Sequence, residues 1–234
     1  MSKHEILISL QGVSMSYNIR SGMFKWSKYT PLKNISFDLR RGETVGIIGR
    51  NGAGKSSILR LIAGILEPDS GIILNYGARV SLLSLGVGFL PHLTGRQNAM
   101  LSGMLLGLHR NSIVEKMDAI IDFSGLNQFI DQPLHTYSSG MRARLGFTVA
   151  IQVDPDVLLI DEVLGVGDEE FRMKSTAEIR RLIKSDKTVV LVSHNLPTVR
   201  ELCDRLVWIE NGQVCQSGST AEVLAHYANH ASVK

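Results

Sequence analysis

The segment from Thr44 to Ala63 constrains the fold of this chain more than any other. Thr44–Ile48 is a short apolar run, typical of a strand that is buried on both faces. A glycine-rich loop, Gly49-Arg50-Asn51-Gly52-Ala53-Gly54-Lys55-Ser56, follows this run, and apolar residues then recur at helical spacing up to Gly64. The loop fits G-x-x-x-x-G-K-S between a strand and a helix, where backbone amides surround phosphate groups. The sequence therefore predicts a bound nucleotide at this turn.

The loop also predicts separate roles for its residues. Glycines allow the tight backbone path that turns amides inward, and the helix that follows adds the positive end of its dipole. Lys55 is expected to reach the β- and γ-phosphates, and Ser56 is expected to bind magnesium through its hydroxyl. The predicted nucleotide contacts are Gly49, Asn51, Gly52, Ala53, Gly54, Lys55, Ser56 and Ser57.

A second apolar run, Val157–Ile160, is followed directly by two acidic residues, Asp161 and Glu162. A buried strand of this kind delivers carboxylates to the carboxyl edge of a parallel sheet, where phosphates bind. Asp161 is predicted to hold the metal ion, and Glu162 to orient and polarise the attacking water. His194 follows the next apolar run and is predicted to contact the γ-phosphate at the same edge. Glu162 and His194 are thus the candidate catalytic residues.

The remaining pattern predicts an α/β core with an insertion. Apolar strands alternate with amphipathic helices such as Glu169–Lys184, which favours a mostly parallel sheet. Both ends of the chain read as β-structure, with a hairpin signal at Glu210-Asn211-Gly212. The middle is mostly helical, with candidate helices at Thr94–Leu108, Ser112–Ser124 and Ser139–Ile151. We expect one domain over residues 1–234: a core with an antiparallel β subdomain (1–84 and 152–234) and an inserted helical subdomain (about 85–151).

Composition excludes several classes of protein. A formal net charge of +3 is too small and too scattered to indicate nucleic-acid binding. No apolar run approaches the roughly 20 residues of a membrane span, and no apolar secretion segment follows the N-terminus. The two cysteines, Cys203 and Cys215, have no metal or redox motif near them. We therefore expect a cytoplasmic protein whose membrane role comes through a partner.

The segment Tyr137-Ser138-Ser139-Gly140-Met141 narrows the class, because it opens a helix shortly before the strand that ends in Asp161. Here the sequence resembles the ABC ATPase family, whose signature reads Leu-Ser-Gly-Gly-Gln at this place. Ser138 and Gly140 match that signature, and the other three positions depart from it. The resemblance implies a P-loop NTPase of ABC type with a Walker A loop. It also implies ATP and Mg²⁺ as ligands, and contact between Ser138, Gly140 and an ATP bound by a second copy of the chain.

The resemblance covers nearly the whole chain. It implies that Tyr17 stacks on adenine and that Asp168 lies at the dimer interface with Ser138, Ser139 and Gly140. One family feature is missing: Ser84–Phe89 contains no glutamine, where most members have one that senses magnesium and the attacking water.

At several places the sequence departs from the general family pattern and there resembles the ATPases of bacterial polysaccharide exporters. These exporters serve O-antigen, capsule or teichoic acid. The departures are Gly86-Val87-Gly88-Phe89, Leu93–Asn98, the altered signature, and Asp161–Asp168 without a proline after Glu162. This resemblance implies a homodimer that drives export of a lipid-linked polysaccharide through a separate transmembrane permease. It places the chain peripherally on the cytoplasmic face of the bacterial inner membrane.

Two questions stay open from the sequence. The chain fits, less well, an ABC ATPase of an importer or of another cargo, or one that acts outside transport, and a phosphate-loop kinase fits least. The segment Asn18–Pro31 is basic and aromatic. It is read either as a loop near the membrane surface or an anionic lipid-linked substrate, or as a hairpin turn packing its aromatic residues near the adenine.

Overall fold

The computed structural model describes residues 5–20, 26–161 and 167–231. The chain divides into two compact units. The first comprises Met1–Leu82, Pro155–Glu162 and Leu182–Lys234, and the second comprises Leu83–Asp154 and Val163–Arg181. Within the described ranges, no helix combines the length and the apolar character that crossing a bilayer requires.

The described ranges contain nine strands and seven α-helices. In chain order they are β1 (Ile6–Arg20), β2 (Trp26–Arg40), β3 (Thr44–Ile48), α1 (Lys55–Ile62), β4 (Ser70–Asn75), β5 (Val80–Leu82), α2 (Gly95–Leu105), α3 (Arg110–Ser124), α4 (Ser139–Ala150), β6 (Val157–Asp161), α5 (Glu169–Ile183), β7 (Thr188–Val192), α6 (Leu196–Leu202), β8 (Arg205–Glu210), β9 (Gln213–Ser219) and α7 (Thr220–Ala231).

The first unit contains two sheets. Strands β2, β1 and β4 form an antiparallel sheet, and the order in the second sheet is β5-β6-β7-β3-β8-β9. The pairs from β5 to β8 are parallel, and β9 closes the sheet antiparallel to β8. All five residues of β3 and of β7 are buried, as expected for central strands of a parallel sheet. The predicted α/β fold with a mostly parallel sheet and an antiparallel β part is confirmed.

The register of the parallel strands brings three chain segments to one edge. Val192 at the end of β7 is paired with Ile47 of β3 on one side and with Asp161 of β6 on the other. The phosphate loop, Asp161 and the residues after Val192 therefore leave the sheet at the same carboxyl edge, where parallel α/β sheets bind their ligands.

The segment Asn18–Pro31 lies in the β1–β2 hairpin, which agrees with the hairpin interpretation, but its paired strands are longer than the sequence indicated. The packing of its aromatic residues near the adenine stays a prediction. Strand β1 continues to Arg20 and β2 begins at Trp26, while residues 21–25 lie outside the described part of the chain. Pro31 sits on β2, which is an edge strand of its sheet, where a missing backbone N–H is tolerated. The strand went unrecognised because charges and a proline interrupt a run that also holds strand-forming aromatic and β-branched residues.

The second unit is helical. Helices α2, α3 and α4 enclose an apolar core that includes Ile113, Ile120 and Leu145. Thr94 begins α2 with a capping box, in which it accepts a hydrogen bond from the Gln97 amide and Gln97 accepts one from the Thr94 amide. The three helices expected in this region are confirmed, with ends shifted by a few residues.

Candidate functional site

The glycines of the phosphate loop are required by the chain's own packing. Gly54 has φ of 94°, and a Cβ atom added there would lie 2.5 Å from Leu32 Cδ2 and 2.7 Å from the Pro31 carbonyl oxygen. A Cβ atom on Gly49 would overlap the Ile209 carbonyl oxygen. Side chains at these two positions would therefore push the loop away from β2 and β8.

Lys55, near the end of the loop sequence, lies at the first position of α1. Its ammonium donates hydrogen bonds to the carbonyl oxygens of Gly49, at 2.9 Å, and Arg50, at 3.0 Å. Burial lowers the pKa of Lys55, and the attraction of Asp161 works in the opposite direction. The loop thus holds a half-buried cation that its own carbonyl groups satisfy.

A cavity of about 360 Å³ adjoins this lysine. Its lining consists of Tyr29, Pro31, Asn51, Gly52, Gly54, Lys55, Ser56, Ser57, Asp161 and Val192. The structure therefore brings together most of the predicted nucleotide contacts with the predicted metal ligand Asp161. Gly49 and Ala53, the other two predicted loop contacts, are not among these lining residues.

The residues at this cavity fit a magnesium ion. Ser56 is exposed and Asp161 is half-buried, so both can present oxygen atoms. Magnesium is usually held by one or two protein oxygens, with water and substrate phosphates completing its shell. Ser56 and Asp161 offer protein oxygens of this kind at the cavity.

Of the two candidate catalytic residues, the structure describes His194 but not Glu162. Glu162 lies outside the described residues, together with residues 163–166. His194 is exposed and follows β7 by two residues, at the sheet edge where Asp161 ends β6. The next residue, Asn195, begins α6 by accepting a hydrogen bond from the Thr198 amide at 3.1 Å. The catalytic roles of both residues stay predictions.

Two tyrosines from the first sheet reach the phosphate loop. Tyr17 and Tyr29 are directly paired across β1 and β2. The hydroxyl of Tyr17, a half-buried residue, lies 3.1 Å from Ser57 Oγ, and the hydroxyl of Tyr29 donates to the Gly52 carbonyl oxygen at 2.7 Å. The sequence predicted a specific nucleotide contact for Tyr17, and indicated Tyr29 only as one of the aromatic residues of the segment Asn18–Pro31. The signal for Tyr29 was its place opposite Tyr17, which becomes visible only once the hairpin register is known.

The signature segment begins α4. Ser138 Oγ accepts a hydrogen bond from the Met141 amide at 3.1 Å, and both Ser138 and Ser139 are exposed. Apart from its chain neighbours and the backbone of its own helix, the nearest described heavy atom to a Cβ atom on Gly140 would be Ser138 Oγ, at 3.8 Å. The predicted N-capped turn is present. Nothing described within the chain requires its glycine.

Tyr137, which replaces the family's leucine, is buried and not part of that open surface. Its hydroxyl donates to the Phe129 carbonyl oxygen at 2.6 Å, and burial raises its pKa to about 12. A Cβ atom on Gly95 would overlap the same hydroxyl. The signature and the segment Leu93–Asn98, two separate departures from the family pattern, therefore meet inside the helical unit.

Asp168 begins α5. Its Oδ1 accepts from the Phe171 amide at 3.0 Å, and its carboxylate pairs with the Arg144 guanidinium of α4. Arg144 also lies over the Phe171 ring, 5.7 Å from its centroid. Asp168 is exposed, so it remains available for the predicted interface.

The segment without the expected glutamine forms a glycine turn. Gly86 and Gly88 both have φ near +70°. A Cβ atom on Gly146 of α4 would lie 2.5 Å from the Gly86 amide nitrogen, and one on Gly88 would overlap Leu105 of α2. The turn is therefore packed closely against two helices of its unit.

The comparisons with known proteins agree with these features. The model of the ABC transporter family matches residues 32–165. The chain is 48% identical over 205 residues to the O-antigen export system ATP-binding protein RfbB of Klebsiella pneumoniae, covering 88% of this chain and 83% of that protein. It is 38% identical over 234 residues to the teichoic acids export ATP-binding protein TagH of Listeria monocytogenes serotype 4b, covering 95% and 70%. A solved dimeric ATP-binding cassette in a post-hydrolysis state, bound to ADP and phosphate, has the same fold with a TM-score of 0.71, 20% identity and coverage of 91% and 98%. The chain belongs to the ABC transporter family and is an ATPase of that family.

Proposed function

We propose that two copies of this chain bind two ATP molecules between them and drive export of a lipid-linked polysaccharide. Export proceeds through a separate transmembrane permease, with the chain held peripherally at the cytoplasmic face of the bacterial inner membrane. The observation that carries the cargo is the 48% identity to an O-antigen export protein over most of both chains. The similarity to a teichoic acids export protein supports a polysaccharide cargo as well.

The phosphate loop supports the nucleotide part of this proposal. In the structure, Lys55 donates hydrogen bonds to two backbone carbonyl groups. Oxygens of the β- and γ-phosphates of ATP would replace these carbonyl groups as acceptors for its ammonium. Amides at the start of α1 and the helix dipole add further positive potential. Tyr17, beside Ser57, would supply the aromatic surface for adenine.

Ser56 and Asp161 would hold the magnesium ion. When bound there, the ion would neutralise negative charge that develops on the phosphate oxygens. Asp161 also favours the charged form of Lys55, so the carboxylate keeps the cation that faces the phosphates. Asp161 would thus interact with both positive groups of the site, the magnesium ion and the Lys55 ammonium.

Glu162 would act as the general base. It would accept a proton from the attacking water while the oxygen of that water bonds to the γ-phosphorus. The bond between this phosphorus and the β,γ-bridging oxygen breaks, which leaves ADP and inorganic phosphate. His194, at the same sheet edge, would donate a hydrogen bond to the γ-phosphate.

The open turn at Ser138 supports the need for a second copy. An alanine in place of Gly140 meets no steric obstacle and would favour the helix by about 1 kcal/mol. A glycine at this position is therefore best explained by close approach of another molecule. In the proposed dimer, Ser138 and Gly140 contact the γ-phosphate of the ATP that the second copy binds. The surrounding dimer interface includes Ser138, Ser139, Gly140 and Asp168.

The helical subdomain, about 85–151, would contact the permease. Between Gly86 and Leu108 it exposes three large apolar side chains, Leu90, Met104 and Leu105, with exposed fractions of 40%, 42% and 58%. Together these side chains would form an exposed apolar patch, a feature that marks protein-binding surfaces. Closure of the dimer on ATP, and its release after hydrolysis, would move this surface and the permease with it.

The test is replacement of the wild-type chain in cells by Glu162→Gln. Loss of the base should reduce hydrolysis by roughly 100-fold or more, while ATP binding and dimerisation persist. Surface polysaccharide should fall and intracellular polysaccharide should accumulate, as measured by gel and immunoblot. Glu67→Gln, at an exposed glutamate, is the matched control and should leave both pools unchanged.

Two results would contradict the proposal in different ways. An unchanged surface glycan, with an inactive mutant protein present in the cells, would exclude polysaccharide as the cargo and leave an importer or another cargo. Recovery of the wild-type chain away from the membrane fraction would point to an ABC ATPase that acts outside transport. Normal turnover in Glu162→Gln would exclude Glu162 as the base.

A further inference from the structure

Tyr29 is outside the set of residues assigned above, yet it makes one of the shortest contacts to the phosphate loop. Its hydroxyl donates to the Gly52 carbonyl oxygen at 2.7 Å. We propose that Tyr29 is a positioning residue for nucleotide binding: its hydroxyl fixes the peptide between Gly52 and Ala53 and so sets the loop in its phosphate-binding form. This inference rests on the proposed nucleotide site.

The peptide between Gly52 and Ala53 is held at both ends. Its carbonyl oxygen accepts from Tyr29, and its N–H donates to the Arg50 carbonyl oxygen at 3.1 Å. Because a peptide group is planar, these two bonds together fix its orientation. The amides that follow, at Gly54 and Lys55, take their direction from this peptide.

The same network includes the phosphate-binding cation. The Arg50 carbonyl oxygen also accepts from Lys55 Nζ at 3.0 Å. Rotation of the Gly52–Ala53 peptide would remove the Ala53 donor from this carbonyl group and disturb the resting position of Lys55. A change at Tyr29 can therefore reach the lysine through two backbone groups.

Gly52 needs an external restraint of this kind. Its φ of 81° lies in the region that glycine adopts freely, and a Cβ atom built on it would meet one heavy atom within 4 Å among the described residues. That atom is the Tyr29 hydroxyl oxygen, at 3.9 Å. On this side, the tyrosine is thus the neighbour that limits how far Gly52 can move.

Tyr29 itself projects from an anchored strand. Its neighbour Thr30 lies 3.1 Å from Ser16 Oγ, through side-chain oxygens across the β1–β2 pair. Further along β2, the Lys33 amide donates to the Gly212 carbonyl oxygen at 2.7 Å, and Leu32 is fully buried. The hydroxyl is therefore held from a fixed backbone, as positioning of another group requires.

The hydroxyl and the ring can be tested separately. The ring is 42% exposed and lines the cavity beside Lys55, so it could instead contact the base of the nucleotide. Tyr29→Phe keeps the ring and removes the hydrogen bond, and Tyr29→Leu removes both. Inorganic tripolyphosphate has no base, so its affinity reports on the phosphate loop alone.

The experiment is calorimetric titration of the purified full chain with tripolyphosphate and with ATP, each with magnesium. Tyr29→Phe should weaken both ligands by the same factor, about 3- to 10-fold, which corresponds to one net hydrogen bond. The melting temperature without ligand should fall only by the small amount expected for one partly exposed hydrogen bond. KM for ATP should rise while kcat is retained. Tyr76→Phe, at an exposed tyrosine after β4, is the matched control and should bind as the wild type does.

Three outcomes would overturn the inference. Wild-type affinity of Tyr29→Phe for both ligands would leave the hydroxyl without a role, and weakening by Tyr29→Leu of ATP alone would make the ring a base contact. Lys55→Ala distinguishes failure of the site from failure of the inference. If Lys55→Ala binds both ligands normally, both the proposed nucleotide site and the role of Tyr29 are excluded. If Lys55→Ala loses both ligands while Tyr29→Phe binds them normally, only the role of Tyr29 is excluded.

Discussion

The phosphate loop and the signature turn both place small residues before a helix, but their glycines are explained differently. At the phosphate loop, the chain itself occupies the space that a Cβ atom on Gly54 would need. At the signature turn, the space beside Gly140 is open and Ser138 and Ser139 are exposed. The first turn is complete within one chain. The second has residues that a single chain does not explain.

This difference separates residues that serve folding from residues that serve contact with another molecule. Substitution at the phosphate loop should change both stability and nucleotide binding, since the same atoms are involved in both. Substitution at the signature turn should change activity with a small or opposite effect on stability. The four predictions below test this separation, from the largest expected effect to the smallest.

The largest effect is expected for Lys55→Ala. Removal of the cation should reduce ATP hydrolysis by roughly 100-fold or more, because no other described side chain at the cavity carries a positive charge for the phosphates. Steady-state phosphate release measures this loss. Lys184→Ala, at an exposed lysine of the first unit, is the control and should retain full activity. Retained activity in Lys55→Ala would place the hydrolytic site elsewhere.

The two glycines should respond to alanine with opposite signs. Gly54→Ala forces a side chain at positive φ against the Pro31 carbonyl oxygen and should lower the free energy of unfolding by about 2–4 kcal/mol. Gly140→Ala should raise it by up to about 1 kcal/mol, since alanine favours the helix. Urea denaturation measures both changes, and phosphate release should still fall in Gly140→Ala. Full hydrolysis in that variant would remove the reason for assigning the turn to a second copy's nucleotide.

Ser138 allows the helix cap and the proposed anion contact to be separated. Ser138→Ala should cost about 1 kcal/mol of stability, because the Met141 amide loses its acceptor. Ser138→Asp keeps an acceptor for that amide and should retain the stability, yet its negative charge should repel the γ-phosphate and abolish ATP-dependent dimerisation. Light scattering with ATP, using the Glu162→Gln background, measures dimer formation. Dimerisation of Ser138→Asp at the wild-type level would exclude the anion contact.

The sequence predicted the features that depend on neighbouring residues. The phosphate loop, the strands at Thr44–Ile48 and Thr188–Val192 and the capped start of α4 follow from local spacing, and the structure contains each of them. The contact of Tyr29 with Gly52 was missed because it depends on the register of β1 and β2. That register cannot be read from a run interrupted by Pro31.

The same limit applies to Tyr137. As a single position it reads as a departure from the family's leucine, and its reason lies in Gly95, more than forty positions earlier in the chain. Pairing between distant segments is decided by packing, which periodicity does not encode. The roles of the site residues, including Glu162 outside the described ranges, stay predictions for the experiments above.

Tyr137 provides the smallest and most specific test, because it divides the signature segment itself into an inward and an outward part. Tyr137→Phe should cost about 1 kcal/mol at neutral pH, since the Phe129 carbonyl group loses its donor, while hydrolysis continues. The pH dependence of the free energy of unfolding provides an independent test. The pKa of the tyrosine rises from 10.0 to about 12 on folding, so its contribution is complete below pH 10 and is lost as pH rises toward 12. Urea denaturation from pH 8 to 11 should therefore show the wild type losing stability relative to Tyr137→Phe above pH 10. Parallel curves would mean that the phenol is not held in the buried, neutral form, and the contrast between residue 137 and the exposed residues after it would fail.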